Sequence, residues 1–144
     1  GVCLEPCALV LEVSELFPGP LASALGAPIK QLRDAGIRIA LDDVGAGHCH
    51  LDIAIGAGVD IIKLDAGLLD AVRESADPAH AERALEGLVL FSHAIGAQVV
   101  AEGIEADADV ALARRVGADY GQGFHLHVPR TVDLKSTQTH VTVA

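Results

Sequence analysis

Two adjacent carboxylates, Asp42 and Asp43, follow directly on a short apolar run at residues 37–41, and a glycine-bracketed loop comes next. An apolar run of this length between turn signals predicts a buried strand. Two like charges at the end of a buried strand are costly unless a cation neutralises them, and hard divalent ions such as Mg²⁺ take carboxylate oxygens. The alternative is a solvated acidic turn before the next helix. These residues alone leave both interpretations open.

Polar side chains also mark the carboxyl ends of the other predicted strands. Apolar runs predict strands at residues 8–13, 37–41, 59–64, 98–101 and 118–126. At or just after the ends of these runs lie Glu12, Asp42, Asp43, Lys63, Asp65, Glu102 and Gln122. Ligands bind at the carboxyl ends of strands in parallel α/β folds. The convergence therefore favours a metal site at the aspartates. For Lys63, a salt bridge to Asp65 or a neighbouring carboxylate and a catalytic role are both open, and the two are compatible.

Helices between the strands complete a regular alternation. Apolar residues at helical spacing, each run followed by a glycine, predict helices at residues 27–35, 51–57, 78–95 and 107–116. Alternation of strands and helices predicts parallel βαβ units, and almost wholly apolar strands are typical of a sheet covered on both faces. The predicted fold class is α/β, with about five parallel strands and intervening helices. Residues 131–144 are polar and patternless, which predicts a tail or the start of a linker.

The composition narrows the classes of partner. Hydrophobic residues make up 51% of the 144 residues and aromatic residues 3%, which predicts one domain with an aliphatic core. The formal net charge of -10 argues against DNA or RNA as a partner unless metal ions bridge the two. The three cysteines, Cys3, Cys7 and Cys49, indicate no disulfide framework and fit a reducing cytoplasm. No apolar run reaches the roughly 18 residues of a membrane span.

Five motifs stand in one order along the chain: LEVSE at 11–15, DDVGAG at 42–47, IIKLD at 61–65, VVAEGIE at 99–105 and ADYGQGF at 118–124. Together they resemble the second half of the EAL domain, a family of bacterial phosphodiesterases that hydrolyse cyclic di-GMP. The resemblance implies a partial (β/α)8 barrel of the TIM type, with residues 1–130 as the C-terminal portion of the domain. It also implies metal-dependent hydrolysis of one phosphodiester of cyclic di-GMP, which yields the linear dinucleotide.

The resemblance implies roles for individual residues. Two Mg²⁺ or Mn²⁺ ions would be held by carboxylates, the first by Glu12 and Asp42 and the second by Asp42, Asp43 and Glu102. The other implied catalytic residues are Lys63, which would hold and help activate the attacking water, and Asp65, which would orient it. Glu105 and Gln122 would line the substrate cleft, and Glu15 would anchor the loop after the aspartates. Two ions would lower the pKa of the water and neutralise charge at phosphorus.

Several parts of the family pattern are absent from this sequence. The Glu-Ala-Leu motif of an earlier strand and an asparagine of the next would complete the first metal site, so that site is incomplete here. Val44 and Ala46 stand where the family usually has Phe and Thr. A (β/α)8 barrel needs about 200 residues or more, so we expect that upstream segments of a longer protein are missing, and a homodimer stays open.

Other interpretations compete with the enzyme. The missing ligands favour a catalytically inactive EAL-type protein that senses cyclic di-GMP or docks a protein partner. Another metal-dependent barrel enzyme, such as an aldolase or enolase relative, fits the motif order less well. His48, Cys49 and His50 suggest a soft-metal site, but adjacent positions point to opposite sides and no ligand pair has zinc spacing. His125 and His127 alternate on the last predicted strand, and we expect them at the rim.

Overall fold

The structure is a computed structural model that describes residues 9–14, 21–46 and 51–127, with side chains from residue 25 onward in the middle range. Strands and helices alternate within these ranges, except that two helices follow the third strand. The strands are β1 (Val10–Val13), β2 (Arg38–Val44), β3 (Ile61–Leu64), β4 (Gln98–Ala101) and β5 (Tyr120–Gly121). The helices are α1 (Leu21–Asp34), α2 (Leu51–Gly56), α3 (Ala66–Glu74), α4 (Pro78–Ala94) and α5 (Asp107–Val116).

All five strands pair in parallel, in the order β1-β2-β3-β4-β5. Each strand lies beside its neighbour in sequence, which is the arrangement of a (β/α) barrel and differs from doubly wound sheets, where the order reverses. The prediction of about five parallel strands with intervening helices is confirmed. Because the strands are parallel, their carboxyl ends lie along one edge of the sheet, which we call the carboxyl edge.

The core consists of aliphatic side chains on both faces of the sheet. Ile39, Ala40 and Leu41 are consecutive on β2, and each is at most 1% exposed, so both faces of this strand are covered. Leu85 and Val89 of α4 are buried in the same core cluster. The low aromatic content predicts such an aliphatic core. Close packing of this kind fixes the strands relative to one another, and with them the side chains at the carboxyl edge.

The sequence predictions fail in two places after β3. No helix is predicted at residues 66–74, yet α3 forms there, and its few apolar residues give only a short periodic pattern. The strand predicted at 118–126 is wrong beyond Gly121, because the backbone N–H groups of Leu126 and His127 donate to the carbonyl of Gly123 in a turn. The alternation of apolar residues with histidines imitates a strand. His125 and His127 therefore share no strand face.

Several other element boundaries also differ from those predicted. Helix α1 begins at Leu21, whereas the sequence predicts a start at residue 27, so Pro28 lies inside the helix. Strand β2 continues to Val44 and so contains both aspartates instead of ending before them. The predictions for β4 and α5 match the structure residue for residue. Helices α2 and α4 each end one residue earlier than predicted.

Strand β1 forms one end of the sheet. Its neighbour among the described strands is β2 alone, and Leu9, Val10 and Leu11 are 40–50% exposed along it. An exposed apolar strand at a sheet edge is a surface that another strand can pair with. None of the helices in the described ranges is long and apolar enough to cross a membrane. The predicted tail at 131–144 lies outside the described residues.

Candidate active site

A bulge in β2 brings Asp42 and Asp43 to the carboxyl edge together. Between the flanking paired residues, these two residues of β2 lie opposite the single residue Lys63 of β3. Asp43 has a φ of 55°, in the left-handed region that non-glycine residues seldom adopt. Adjacent side chains of a regular strand point to opposite faces, whereas a bulge redirects them. The bulge therefore allows both carboxylates to contribute to one site.

Lys63 lies at the centre of the carboxyl edge, among carboxylates from three other strands or strand ends. Its Nζ is 3.1 Å from Oε1 of Glu12, 2.7 Å from Oδ1 of Asp42 and 2.9 Å from Oε1 of Glu102. The side chain of Lys63 is 11% exposed, those of Asp42 and Glu102 are 19% and 17% exposed, and that of Glu12 is 53% exposed. The structure thus brings together residues that are far apart in sequence and that the strand ends predict to converge.

One ammonium does not neutralise the carboxylates around it. Burial alone would lower the pKa of Lys63, but its contacts with Asp42, Glu102 and Glu12 outweigh burial and hold the pKa above its ordinary value. Burial raises the pKa of Glu102; the nearby charges of Asp42 and Asp43 raise it further, and Lys63 offsets only part of the rise. The site therefore favours the charged form of Lys63 and disfavours the charged form of Glu102. The excess negative charge is of the kind that a bound divalent cation neutralises.

Three of the carboxylates are placed so that they could share one cation. One oxygen each of Asp42, Asp43 and Glu102 lies within 4.8 Å of the others. Oδ1 of Asp42 is buried, and although Lys63 is close, no donor in the described part of the chain meets this oxygen at hydrogen-bonding geometry. An anionic, all-oxygen ligand set suits a hard divalent ion. These are the three residues that the sequence predicts for the second ion, whereas Glu12 pairs with Lys63 and is not part of the three-carboxylate group.

A cavity of about 310 Å³ opens beside these carboxylates. It is lined by Asp65, Ala66, Glu102, Gly103, Glu105, Gln122, Gly123, Phe124 and His127. The two residues predicted to contact substrate, Glu105 and Gln122, are therefore in the same cavity as a candidate metal ligand. Aromatic residues make up only 3% of the chain, yet one of them, Phe124, lines this cavity with 68% of its surface exposed. A cleft with carboxylates, an amide and an exposed ring has the mixed lining of a small-molecule site.

A larger cavity, of about 640 Å³, lies at the opposite edge of the sheet. Lys30, Arg33 and Arg38 line it, but Lys30 pairs with Asp34 and Arg33 pairs with Asp60. Residues at the amino-terminal edge of barrel sheets serve stability, whereas catalytic residues lie at the carboxyl edge. The smaller cavity is therefore the better candidate for the functional site, because it adjoins the clustered carboxylates.

The start of α3 packs against the segment that carries Glu102. Asp65 caps α3, since its Oδ1 accepts a hydrogen bond from the backbone N–H of Gly67 at 2.8 Å. Gly103 has a φ of 69°, and a Cβ atom at this position would lie 2.4 Å from the Cβ of Ala66. Only glycine tolerates both the positive φ and this close approach. Asp65 and Glu102, which follow neighbouring strands, are thus held on segments in direct contact.

Asp109 and Arg73 lie against the same segment, and neither residue is among those predicted for the site. Asp109 is 1% exposed, and its Oδ2 accepts hydrogen bonds of 2.9 Å from the backbone N–H groups of Glu105 and Ala106. Its Oδ1 contacts Arg73 of α3. An acidic residue three positions after a helix N-cap is a capping signal that could have identified Asp109. The contact with Arg73 joins two helices far apart in sequence and leaves no local signal.

Some predicted residues lie outside the described ranges. They are Glu15, the predicted loop anchor, the residues His48, Cys49 and His50 of the soft-metal alternative, and the cysteines Cys3 and Cys7. Their roles stay predictions. Ala46 is described, and its backbone N–H donates to the carbonyl of Asp43 in the turn after β2.

The sequential parallel sheet and its acidic carboxyl edge define a protein of the α/β-barrel class. A family model, the EAL domain, matches residues 4–129. The chain belongs to the EAL domain family. Among curated relatives, PdeB of Escherichia coli K12, a probable cyclic di-GMP phosphodiesterase, is 32% identical over 141 residues, which cover 96% of this chain and 26% of PdeB.

Solved structures of similar proteins carry the same fold. The PaMucR phosphodiesterase in its c-di-GMP complex is 30% identical and superposes with a TM-score of 0.75 over 88% of this chain and 50% of that one. A manganese and cyclic di-GMP complex of BlrP1 from Klebsiella pneumoniae is also 30% identical, with a TM-score of 0.72 over 84% of this chain and 30% of that one. The chain therefore spans half or less of the length of each of these similar proteins.

Proposed function

We propose that this chain is part of a metal-dependent phosphodiesterase that hydrolyses cyclic di-GMP to the linear dinucleotide. The observation that carries the proposal is that Glu12 and Asp42, on separate strands, and Glu102, just after a third, meet around Lys63. The similarity to PdeB and to PaMucR supports the choice of substrate. A structural ion-pair network needs no exposed cavity beside it, whereas this cluster opens onto one.

The carboxylates supply the ligands in this proposal. Asp42, Asp43 and Glu102 would hold one Mg²⁺ or Mn²⁺ ion, and Glu12 with Asp42 would supply part of the ligand set of another. Bound divalent cations polarise a phosphodiester and lower the pKa of water enough to supply hydroxide near neutral pH. They also allow a dianionic substrate to approach an acidic edge in a chain of net charge -10.

Lys63 acts as a fixed positive charge in this proposal. Although burial would lower the pKa of Lys63, its contacts with Asp42, Glu102 and Glu12 hold it above the ordinary value, so Lys63 would serve as a hydrogen-bond donor. A buried donor aimed at developing negative charge stabilises a transition state because little reorganisation is needed during the reaction. Lys63 would hold the attacking water and stabilise charge on the phosphoryl oxygens, while Asp65, which lines the adjoining cavity, would orient that water.

The adjoining cavity would bind part of the nucleotide. Glu105 and Gln122 offer hydrogen-bonding groups to sugar or base atoms, and Phe124 offers an exposed ring face. A mixture of a few polar groups with an aromatic surface orients a nucleotide without enclosing it. His127 lies in the same lining and adds a donor or acceptor that depends on its tautomer.

The remainder of the barrel would come from upstream segments of a longer protein. The exposed apolar edge of β1 would pair with a strand of that portion, and the absent Glu-Ala-Leu segment would complete the first ion site. Assembly as a homodimer and a cytoplasmic location stay predictions. Both concern the whole protein.

The direct test is incubation of the full-length protein with cyclic di-GMP and Mn²⁺, followed by chromatographic separation of the linear product. We expect product from the native protein and none from Asp42→Asn, which keeps the shape of the side chain but removes its charge. Asp34→Asn is the matched control, because Asp34 is exposed and pairs with Lys30 away from the carboxyl edge. Binding of cyclic di-GMP without product would leave the sensor interpretation, and failure to bind it would leave the protein-interaction interpretation.

A further inference from the structure

A buried aspartate holds the segment that connects Glu102 to α5. Asp109 is 1% exposed, and Oδ2 accepts hydrogen bonds from the backbone N–H groups of Glu105 and Ala106, both at 2.9 Å. Oδ1 contacts the guanidinium of Arg73. A buried charge is retained in a fold only when it is paired and hydrogen-bonded. Both oxygens of Asp109 meet that condition.

The surroundings of Asp109 favour its ionised form. Burial alone would raise the pKa of Asp109, but the two backbone N–H groups and Arg73 outweigh burial and hold the pKa below its usual value. Arg73 also pairs with Asp70 one turn earlier on α3, so the guanidinium is itself held in place. The contact between α3 and α5 is therefore a fixed, charged one.

Asp109 does more than cap its own helix. Ala106, at the N-cap, has no side-chain oxygen, and a hydrogen bond from its N–H to Asp109 would satisfy the capping requirement. The additional bond from Glu105 and the contact with Arg73 reach outside α5, to the segment after β4 and to the helix after β3. These are the segments that carry Glu102 and Asp65.

We propose that Asp109 and Arg73 form a positioning pair, which sets Glu102 and Glu105 relative to Asp65 at the carboxyl edge. Neither residue lines the cavity or belongs to the three-carboxylate group. Their effect passes through the backbone of residues 102–106, where the N–H groups of Glu102 and Ile104 also donate to the carbonyls of Leu64 and Gln122. The effect of the pair on the active site rests on the proposed function, whereas its effect on the backbone of residues 102–106 does not.

The test compares Asp109→Asn and Arg73→Gln with the native full-length protein in two measurements. Hydrogen exchange should become faster at the amides of Glu105 and Ala106 in both variants. The dissociation constant for Mn²⁺ should rise by about tenfold or more, as is typical when a group that orients a metal ligand is removed. Arg73→Lys should restore part of the Mn²⁺ affinity, because it keeps the positive charge.

Two control variants separate positioning from general stability and from capping. Asp60→Asn is matched to Asp109→Asn, because Asp60 pairs with Arg33 and accepts from the backbone N–H of Ile39 at the opposite edge of the sheet. It should lower stability without changing Mn²⁺ affinity. In the Asp109→Asn background, Ala106→Ser supplies an N-cap hydroxyl, which should recover stability of α5 but not Mn²⁺ affinity.

Unchanged exchange at Glu105 and Ala106 would overturn the proposal. An equal loss of Mn²⁺ affinity in Asp60→Asn would also overturn it, because the effect would then be one of general stability. Full recovery of Mn²⁺ affinity when Ala106→Ser is added to Asp109→Asn would overturn it too, because the effect would then be helix capping alone. If the native protein neither binds Mn²⁺ nor cleaves cyclic di-GMP, the proposed function fails, and hydrogen exchange at the two amides alone decides whether the pair holds the segment.

Discussion

Lys63 lies opposite the two-residue bulge of β2, and its Nζ is 2.7 Å from Oδ1 of Asp42. The register of β2 against β3 sets this relationship, since a regular ladder would place only one residue opposite Lys63. The bulge allows both adjacent aspartates to share one group of carboxylates with Glu102, beside the ammonium that Asp42 contacts. It also leaves more negative charge than Lys63 neutralises, and the first two predictions depend on that imbalance.

Replacing Lys63 with methionine should destabilise the metal-free protein and reduce hydrolysis. Removal of one partner from a largely buried ion pair leaves repelling carboxylates and costs about 3 kcal/mol or more. Mn²⁺ should restore much of this stability, because it supplies the missing positive charge. The rate of cyclic di-GMP hydrolysis should fall by about a hundredfold or more with the loss of a donor. Urea denaturation with and without Mn²⁺, together with turnover assays, measures both effects.

Lys63→Leu provides a control of similar size without the thioether. It should behave like the methionine variant if charge, not packing, is responsible. An unchanged free energy of unfolding in metal-free Lys63→Met would contradict the view that Lys63 holds the carboxylates together.

Glu102→Gln should make the metal-free protein more stable at pH 7 while it abolishes Mn²⁺ binding. The folded-state pKa of Glu102 is raised, first by burial and then by Asp42 and Asp43, so its charged form costs stability. The cost is absent below the unfolded pKa, near pH 4, and grows as pH rises through the folded pKa. The stability difference between Glu102→Gln and the native protein should therefore vanish in acid. Thermal unfolding from pH 3.5 to 8 tests this, and a less stable variant at pH 7 would refute it.

Gly45→Ala should destabilise the turn after the aspartates. Gly45 has a φ of 110°, and a Cβ there would lie 2.6 Å from Cγ of Leu68 on α3. Strain of this kind costs about 1–3 kcal/mol. In the double variant, Leu68→Ala should remove the steric clash with the new Cβ but not the strain of the positive φ. The losses of unfolding free energy of the two single variants should therefore not add. Additive losses of unfolding free energy would show that Gly45 and Leu68 act independently.

Asp60 should contribute stability that is lost in acid. Burial would raise its pKa, but Arg33 and the N–H of Ile39 outweigh burial and lower it. A lowered folded-state pKa gives stability that is present above the unfolded pKa, near pH 4, and is lost as pH falls toward the folded value. Asp60→Asn should therefore cost stability at pH 7 and less below pH 4. An equal loss at pH 7 and pH 2.5 would contradict this assignment.

The polar residues at the strand ends could be predicted because an apolar run that stops at a charge is a local pattern. Their convergence followed from the geometry of a parallel sheet, and β4 and α5 matched because their signals, an apolar run and a glycine stop, are local too. The bulge could not be predicted, since it depends on how β2 pairs with β3. The turn after Gly121 was missed because alternating apolar residues and histidines imitate a strand.

Local patterns are enough to predict the α/β class, the order of the strands along the chain and the residue types at the carboxyl edge. That Glu12, Asp42 and Glu102 share Lys63, and that Arg73 reaches Asp109, follows from the folded arrangement and from no local pattern. The reason is physical: distances within an element follow from its repeat, whereas distances between elements follow from strand register and core packing. Those depend on every packed neighbour at once.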